Sequence, residues 1–329
     1  MIYIRNDDHR PQFNLALEQY VFDNLTQFDE IFLLWINEPT IVVGKNQNTI
    51  EEINLDYVKE KNIHVVRRLS GGGAVYHDLG NLNYTIISEK GNRSTSFNFA
   101  AFTQPVIEVL KKLGVKAEFT GRNDLTIDGK KFCGNAQYMK KNRILHHGAM
   151  LFNTDLNVLG KALKVSKDKI ESKGVKSVRS RVTNIKDYVK DDITIEDFKQ
   201  LLLDHMIETN ENLQEYKLTE EDYKKINKIM EERYATWEWN FGYSPDFNIE
   251  KSRRFYAGKV ETKIHVEEGI IKKIKFYGDF FGGGEISEVE KKLIGIKYKE
   301  DEIDKALDDI DISFYFSGIS KDELITSII

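Results

Sequence analysis

Two stretches of this chain bring together residue types suited to an anionic ligand. The first runs Arg67-Arg68-Leu69-Ser70-Gly71-Gly72-Gly73-Ala74-Val75-Tyr76-His77-Asp78-Leu79-Gly80-Asn81, with three successive glycines behind two arginines. Glycine lets the backbone approach a ligand and offer N–H groups to phosphate, while Arg68 adds a rigid fork of donors. A tight structural turn would use the same glycines, and the spacing matches neither G-x-x-x-x-G-K-[ST] nor G-x-G-x-x-G. The second stretch joins Gly121-Arg122-Asn123-Asp124 to Lys131-Phe132-Cys133-Gly134-Asn135-Ala136 across an Asp128-Gly129 turn. Strand alternation predicts Lys131 and Cys133 on one face and Phe132 on the other, so that Lys131 and Cys133 share a cavity if Phe132 is core. The neighbours His146 and His147 must present one ring to each face of their strand. The other triple glycine, Gly282-Gly283-Gly284, reads as structural because it precedes a capped helix.

The elements that would hold these residues are legible from periodicity. Short β-branched runs predict strands over 31–36, 40–43, 64–66 and 82–87. A meander is expected over 124–153, because Asp-Gly between apolar runs is a strong hairpin signal. Helices are predicted over 14–25 and 97–113, the second closed by Gly114 and kinked or divided by Pro105. A further helix should bury Phe198, Leu201, Leu202, Met206 and Ile207. Toward the C terminus, strands are expected at 254–266 and 270–276, followed by helices opened by the capping boxes Ser287-x-x-Glu290 and Ser320-x-x-Glu323.

Composition removes several function classes. The 329 residues are enough for two domains; 40% are hydrophobic, 31% are charged and four are Pro, as in an ordinary globular chain. A turn-rich stretch at 241–250 divides 1–240 from 251–329. The single Cys and the absence of an N-terminal signal pattern point to the reducing cytoplasm. No apolar run approaches a membrane span, and a net charge of −5 argues against a nucleic-acid partner. Charge is nevertheless concentrated: residues 161–190 carry ten Lys or Arg against three acids, and 191–240 carry fourteen acids against six bases.

Taken together, five blocks resemble the lipoate-protein ligase A family: 67–81; 121–124; Lys131-x-x-Gly134-x-Ala136; His146-His147-Gly148 followed by Leu151; and 173–184. The resemblance covers nearly the whole chain and fits the bacterial two-domain type. It implies an α/β (α+β) fold, with a mixed-sheet catalytic domain related to biotin ligases and class II synthetases and a smaller α+β C-terminal domain. It also implies a reaction in two steps. Lipoate or octanoate attacks the α-phosphate of ATP, with Mg²⁺, to give an acyl-adenylate and pyrophosphate; a Lys of a lipoyl-accepting domain then takes the acyl group.

By the same resemblance, Lys131 is the essential cation of both steps. Arg68, Gly73, Ala74, Val75, Tyr76, Asn81, Asn123, Asp124, Lys173, Ser177 and Arg179 contact ATP or adenylate, and Asp124 is the candidate Mg²⁺ ligand. Arg68, Ser70, Gly71, Gly72, Lys131, Ala136 and His147 contact lipoate, in a tunnel walled by Trp35, Val43 and Gly44. Residues 173–184 are expected to close over the intermediate, with the basic stretch steering an acidic acceptor domain. A monomer without nucleic-acid or membrane partners is expected. Three rivals stand beside this reading: a transferase working through a Cys133 thioester without ATP, a non-catalytic adenylate-binding protein, and a biotin ligase.

Overall fold

The computed structural model describes residues 1–89, 98–163, 181–241 and 248–329. Its central feature is the Asp128-Gly129 turn, where both residues take positive φ, 50° and 73°, as a two-residue type I′ hairpin requires. The turn joins β8 (Asp124–Ile127) to β9 (Lys130–Lys140), and a second turn at Lys141 leads into β10 (Arg143–Leu151). The expected meander is therefore present. β10 pairs antiparallel with β6 (Asn81–Glu89), and β6 with β2 (Glu30–Trp35). Adding β1 (Ile2–Ile4), β7 (Ala117–Thr120) and β11 (Gln214–Glu215) gives a mixed eight-stranded sheet ordered β11-β1-β2-β6-β10-β9-β8-β7. Strands β2 and β6 are buried almost throughout because side chains pack on both faces of this sheet.

One face carries a core of Phe32, Leu34, Tyr84, Phe132, Phe152, Phe198 and Leu202 beneath the helices Phe99–Lys112 and Ile195–Thr209. The other face packs Leu33, Trp35 and Ile87 against Leu17, Tyr20 and Val21 of the helix Pro11–Asn24. A smaller sheet, β4-β3-β5, is formed by β3 (Thr40–Val43), β4 (His64–Arg67) and β5 (Val75–His77). Its outer core includes Ile41, Val43 and Tyr76. The C-terminal residues build a separate core around Val260, Ile274, Phe280, Leu293, Phe316 and Leu324, on the meander β12 (Ile249–Phe255), β13 (Gly258–Glu267) and β14 (Ile270–Gly278).

Several local expectations need correction. The first helix starts at Pro11, not Asn14, because proline suits the first helical turn. Helix Phe99–Lys112 runs through Pro105 undivided, and Gly114 closes it with φ +75°. In Ile195–Thr209 the buried stripe is Phe198, Leu202, His205 and Met206, with Leu201 and Ile207 exposed. The expected strand at 254–266 is two strands joined by a turn at Tyr256-Ala257. Ser287 does not cap its helix, which starts at Ile286; Glu290 instead accepts a hydrogen bond from the Phe276 N–H at 3.1 Å. The Ser320–Glu323 capping box is present. The Gly282–Gly284 run is structural, since a Cβ on Gly282 would lie 1.9 Å from the Tyr315 carbonyl oxygen.

Candidate active site

The geometry around Lys131 begins with a β-bulge. Thr126 pairs with Lys131 and Leu125 with Cys133, so Phe132 is the extra residue between them. The bulge breaks the simple alternation. Phe132 and Cys133 both enter the same core, each fully buried, while Lys131 turns to the opposite side. The expectation that Lys131 and Cys133 share a cavity is therefore corrected. Burial also pushes the Cys133 thiol well up, away from the thiolate that a nucleophile requires.

The Lys131 side chain runs along its own strand to Gly134, where a Cβ would lie 2.7 Å from its Nζ. Its ammonium is paired with Asp124 at 2.7 Å, each side chain little more than a third exposed. Asn123 and Asn135 lock the edge beside it: Asn123 Nδ2 donates to the Asn135 carbonyl at 2.6 Å, and Asn135 Nδ2 donates to the Asn123 carbonyl at 3.0 Å. The Thr183 N–H donates to the Lys131 carbonyl at 2.9 Å. Lys173, Ser177 and Arg179 lie outside the described residues.

From Lys131 a cleft with a volume of about 100 Å³ runs across the sheet, lined by Gly73, Ala74, Val75, Asn123, Ala136 and His147 and reaching Leu15, Trp35, Val42 and His77. Strand alternation decides the walls of the small sheet. Val42 and Val75 face the cleft, whereas Val43 and Tyr76 point into the core behind it. Gly44 lies behind the loop, where a Cβ would come within 2.0 Å of the Gly72 carbonyl oxygen. Asn81 is fully buried outside the cleft and donates to Asn83 Oδ1 at 3.0 Å; it is Asn83 that lines the wall.

Arg68 holds the glycine loop in shape. Its Nε donates to Ser70 Oγ at 3.0 Å, Nη1 to the Val42 carbonyl at 3.1 Å, and Nη2 to the Gly71 and Gly73 carbonyls at 2.7 and 2.8 Å. Most of its donors are thus committed to the protein, and burial lowers its pKa to about 10, with the Glu18 charge opposing the shift. Ser70 in turn lies 2.7 Å from His147 Nε2, and His147 Nδ1 lies 3.0 and 3.1 Å from the Glu18 carboxylate oxygens. Thr85 also donates to Glu18 and accepts from Trp35 Nε1 at 2.9 Å. This relay links the loop to the floor of the cleft. Glu18 went unnoticed in the sequence, although an acid flanked by Leu15, Leu17 and Val21 on a buried helix is itself a signal.

Gly71 and Gly72 also meet the C-terminal residues. A Cβ on Gly71 would lie 2.5 Å from the Phe280 carbonyl oxygen, and one on Gly72 would lie 3.0 Å from the Phe281 ring. Arg122 stacks over Phe281 at 4.5 Å, and Lys45 pairs with Glu285 at 2.8 Å. Among the described residues no three His, Cys, Asp or Glu side chains converge as a metal site. The donor set beside Lys131 is one carboxylate, Asp124. That suits a hydrated Mg²⁺ carried on substrate phosphates better than a resident metal.

Both parts of the chain match known protein families. Residues 10–207 match the model of the lipoyl protein ligase A/B catalytic domain, and 244–328 match that of the bacterial lipoate protein ligase C-terminus. The lipoate-protein ligase LplJ of Bacillus subtilis is 47% identical over 99% of both chains. A crystal structure of Plasmodium falciparum LipL1 in complex with lipoate is 27% identical, with a TM-score of 0.77 over 94% of each chain. A lipoate-protein ligase A structure bound with ATP is 28% identical, with a TM-score of 0.61 over 73% of this chain and 98% of that one. A fold with a Lys-Asp pair at one end of an apolar cleft and these matches over both parts of the chain lead to one statement: the protein belongs to the lipoate-protein ligase family.

Proposed function

We infer that this protein is an ATP-dependent lipoate-protein ligase. The observation that carries the reading is a single ammonium, Lys131, at the junction of a glycine loop and an apolar cleft. In the first half-reaction a lipoate carboxylate oxygen attacks the α-phosphorus, the bond to the bridging oxygen breaks, and pyrophosphate leaves. In the second, the acceptor Lys amine attacks the acyl carbonyl and AMP departs. Negative charge grows first on the phosphoryl oxygens and then on the carbonyl oxygen, so one fixed cation serves both steps. Lysine itself does not attack, because an amide to Lys131 would not pass the acyl group on.

Within this reading Asp124 orients Lys131, and Gly73, Ala74 and Val75 offer backbone edges to the nucleotide. Mg²⁺ would arrive with ATP; Asp124 is the residue to hold it, where it would neutralise phosphate charge. Lys173, Ser177 and Arg179 keep their proposed contacts with the adenylate. Arg68, Ser70 and His147 shape the acyl site together with Glu18, and Ala136 lines it. The acceptor is a lipoyl-accepting protein domain steered by the basic stretch 161–190. We place the catalytic unit at 1–240 and the accessory unit at 251–329; the separate hydrophobic cores support that division. The protein works as a monomer in the cytoplasm. Lipoate-dependent exchange of labelled pyrophosphate into ATP tests the activity, and exchange that ignores lipoate would remove it.

The thioester transferase reading has no support in the geometry, since Cys133 lies in the core beneath the sheet and does not line the cleft.

A further inference from the structure

The far end of the cleft holds one polar atom with no partner among the described residues. His77 is 3% exposed, lines the cleft, and its Nε2 makes no hydrogen bond. Every other buried side-chain polar atom of the described lining is bonded. A buried donor left unpaired costs free energy, so such an atom at a ligand site calls for an account.

The protonation of His77 follows from an amide relay anchored on backbone. Asn14 Nδ2 donates to the Asp8 and Ile36 carbonyls at 2.9 and 3.0 Å; carbonyls only accept, so the Asn14 amide has one possible orientation. The same Nδ2 lies 2.9 Å from Asn37, which must therefore present its Oδ1. The Asn37 NH₂ then faces His77 Nδ1 at 3.2 Å and donates to it. His77 Nδ1 is an acceptor, and the ring proton resides on Nε2, the ring nitrogen that Asn37 leaves free in a residue that lines the cleft. Burial, helped by the Arg68 and His147 charges, lowers the His77 pKa to about 3, so the ring stays neutral.

The position of this donor along the cleft is fixed by strand register. Trp35 pairs with Asn83, Asn83 with Ala149, and Ala149 with Gly134, so Trp35 and Gly134 stand three strand spacings apart, about 14 Å. Lys131 Nζ lies at the Gly134 end, and the His77 ring meets the Trp35 ring edge-on at 6.0 Å. Resting on the ligase reading, an acyl carboxylate at Lys131 places the opposite end of its chain at Trp35, Leu15, Val42 and His77. A dithiolane ring brings two sulfurs there, which are weak acceptors, whereas an alkyl tail brings none.

We propose that His77 is a specificity-determining residue, whose Nε2–H donates to a dithiolane sulfur and so favours lipoate over saturated acyl chains. A dithiolane sulfur would give Nε2–H the partner it lacks, and a tail without sulfur would leave it unpaired; about a tenfold loss in kcat/KM is the expected scale.

The experiment pairs a ligand change with a protein change. In the pyrophosphate-exchange assay, lipoate is compared with octanoate and with 5-cyclopentylpentanoate, which keeps the ring shape and replaces both sulfurs by CH₂. The native protein should use lipoate about tenfold better than either analogue, in KM rather than kcat. His77→Phe should bring the three acids within about twofold of one another, by weakening lipoate alone, and His77→Gln, which keeps an N–H donor, should restore part of the preference. Equal use of lipoate and the cyclopentyl acid by the native protein would overturn the proposal without any variant. A His77→Phe protein that loses all three acids equally would overturn it too, leaving His77 a structural residue. Failure of lipoate to drive exchange at all would instead overturn the ligase reading.

Discussion

The Glu18–His147–Ser70–Arg68 relay makes a sharp prediction. Glu18 is 4% exposed and its carboxylate accepts from both His147 Nδ1 and Thr85. Replacing it by Gln keeps the shape but removes the charge. One amide oxygen must now satisfy two donors, while the NH₂ meets a site that held an acceptor. Losing one charge-assisted hydrogen bond and leaving one buried donor unpaired should cost about 1.5–3 kcal/mol. For a catalytic unit of this size that corresponds to a fall in Tm of roughly 3–12 °C. The loop should suffer as well, because His147 positions Ser70 and Ser70 accepts from Arg68. We therefore expect E18Q to raise the KM for lipoate about tenfold with a much smaller change in kcat, the pattern of lost ground-state binding. A double-mutant cycle with His147→Gln provides the decisive assay, read by urea unfolding. Contacting residues in one network should show a coupling of about 1 kcal/mol or more. Additivity within about 0.3 kcal/mol would refute the claim that Glu18 acts through His147.

Other outcomes follow from the same structure. Lys131→Ala should abolish lipoate-dependent exchange and slow transfer from preformed lipoyl-adenylate, each by at least about a hundredfold; exchange at the native rate would remove Lys131 from the mechanism. Cys133→Ser should retain ATP-dependent ligation while losing some stability to a buried hydroxyl, and a covalent acyl-enzyme found by mass spectrometry in the native protein would contradict this. Both His77 and His146 are held neutral by burial with pKa values below that of free histidine. The unfolded chain therefore binds more protons, and stability falls as pH drops below about 6.5; from pH 7.5 to 5.5 the loss should be about 1.4 kcal/mol for each ring, measured by urea titration. Raising ionic strength should increase the KM for the acceptor domain several-fold and that for lipoate little, since 161–190 carries a net charge near +7.

Much of this molecule was readable before any coordinates. The Asp128-Gly129 pair set a hairpin because few other dipeptides accept two positive φ values, and the register of β8 and β9 followed from it. The blocks around Arg68, Asn123, Lys131 and His147 are brought together by the fold, where Lys131, Asn123, Ala136, His147 and Trp35 line one cleft. Local chemistry could not decide which face each residue takes. A bulge at Phe132 sent Cys133 into the core, and strand parity put Val42 rather than Val43 on the wall. Such one-residue shifts invert a side chain, and their causes lie in how neighbouring strands pair. The role of Glu18 and the tautomer of His77 were further out of reach. Both arise where the helix Pro11–Asn24, the loop at Asn37 and strands β5, β6 and β10 meet, and hydrogen bonds between Glu18 and His147, 129 residues apart, have no signature along the chain. Sequence alone determined which residue types could perform the chemistry; only tertiary packing decided which of them share the cleft, because burial and partner geometry depend on contacts distant in sequence.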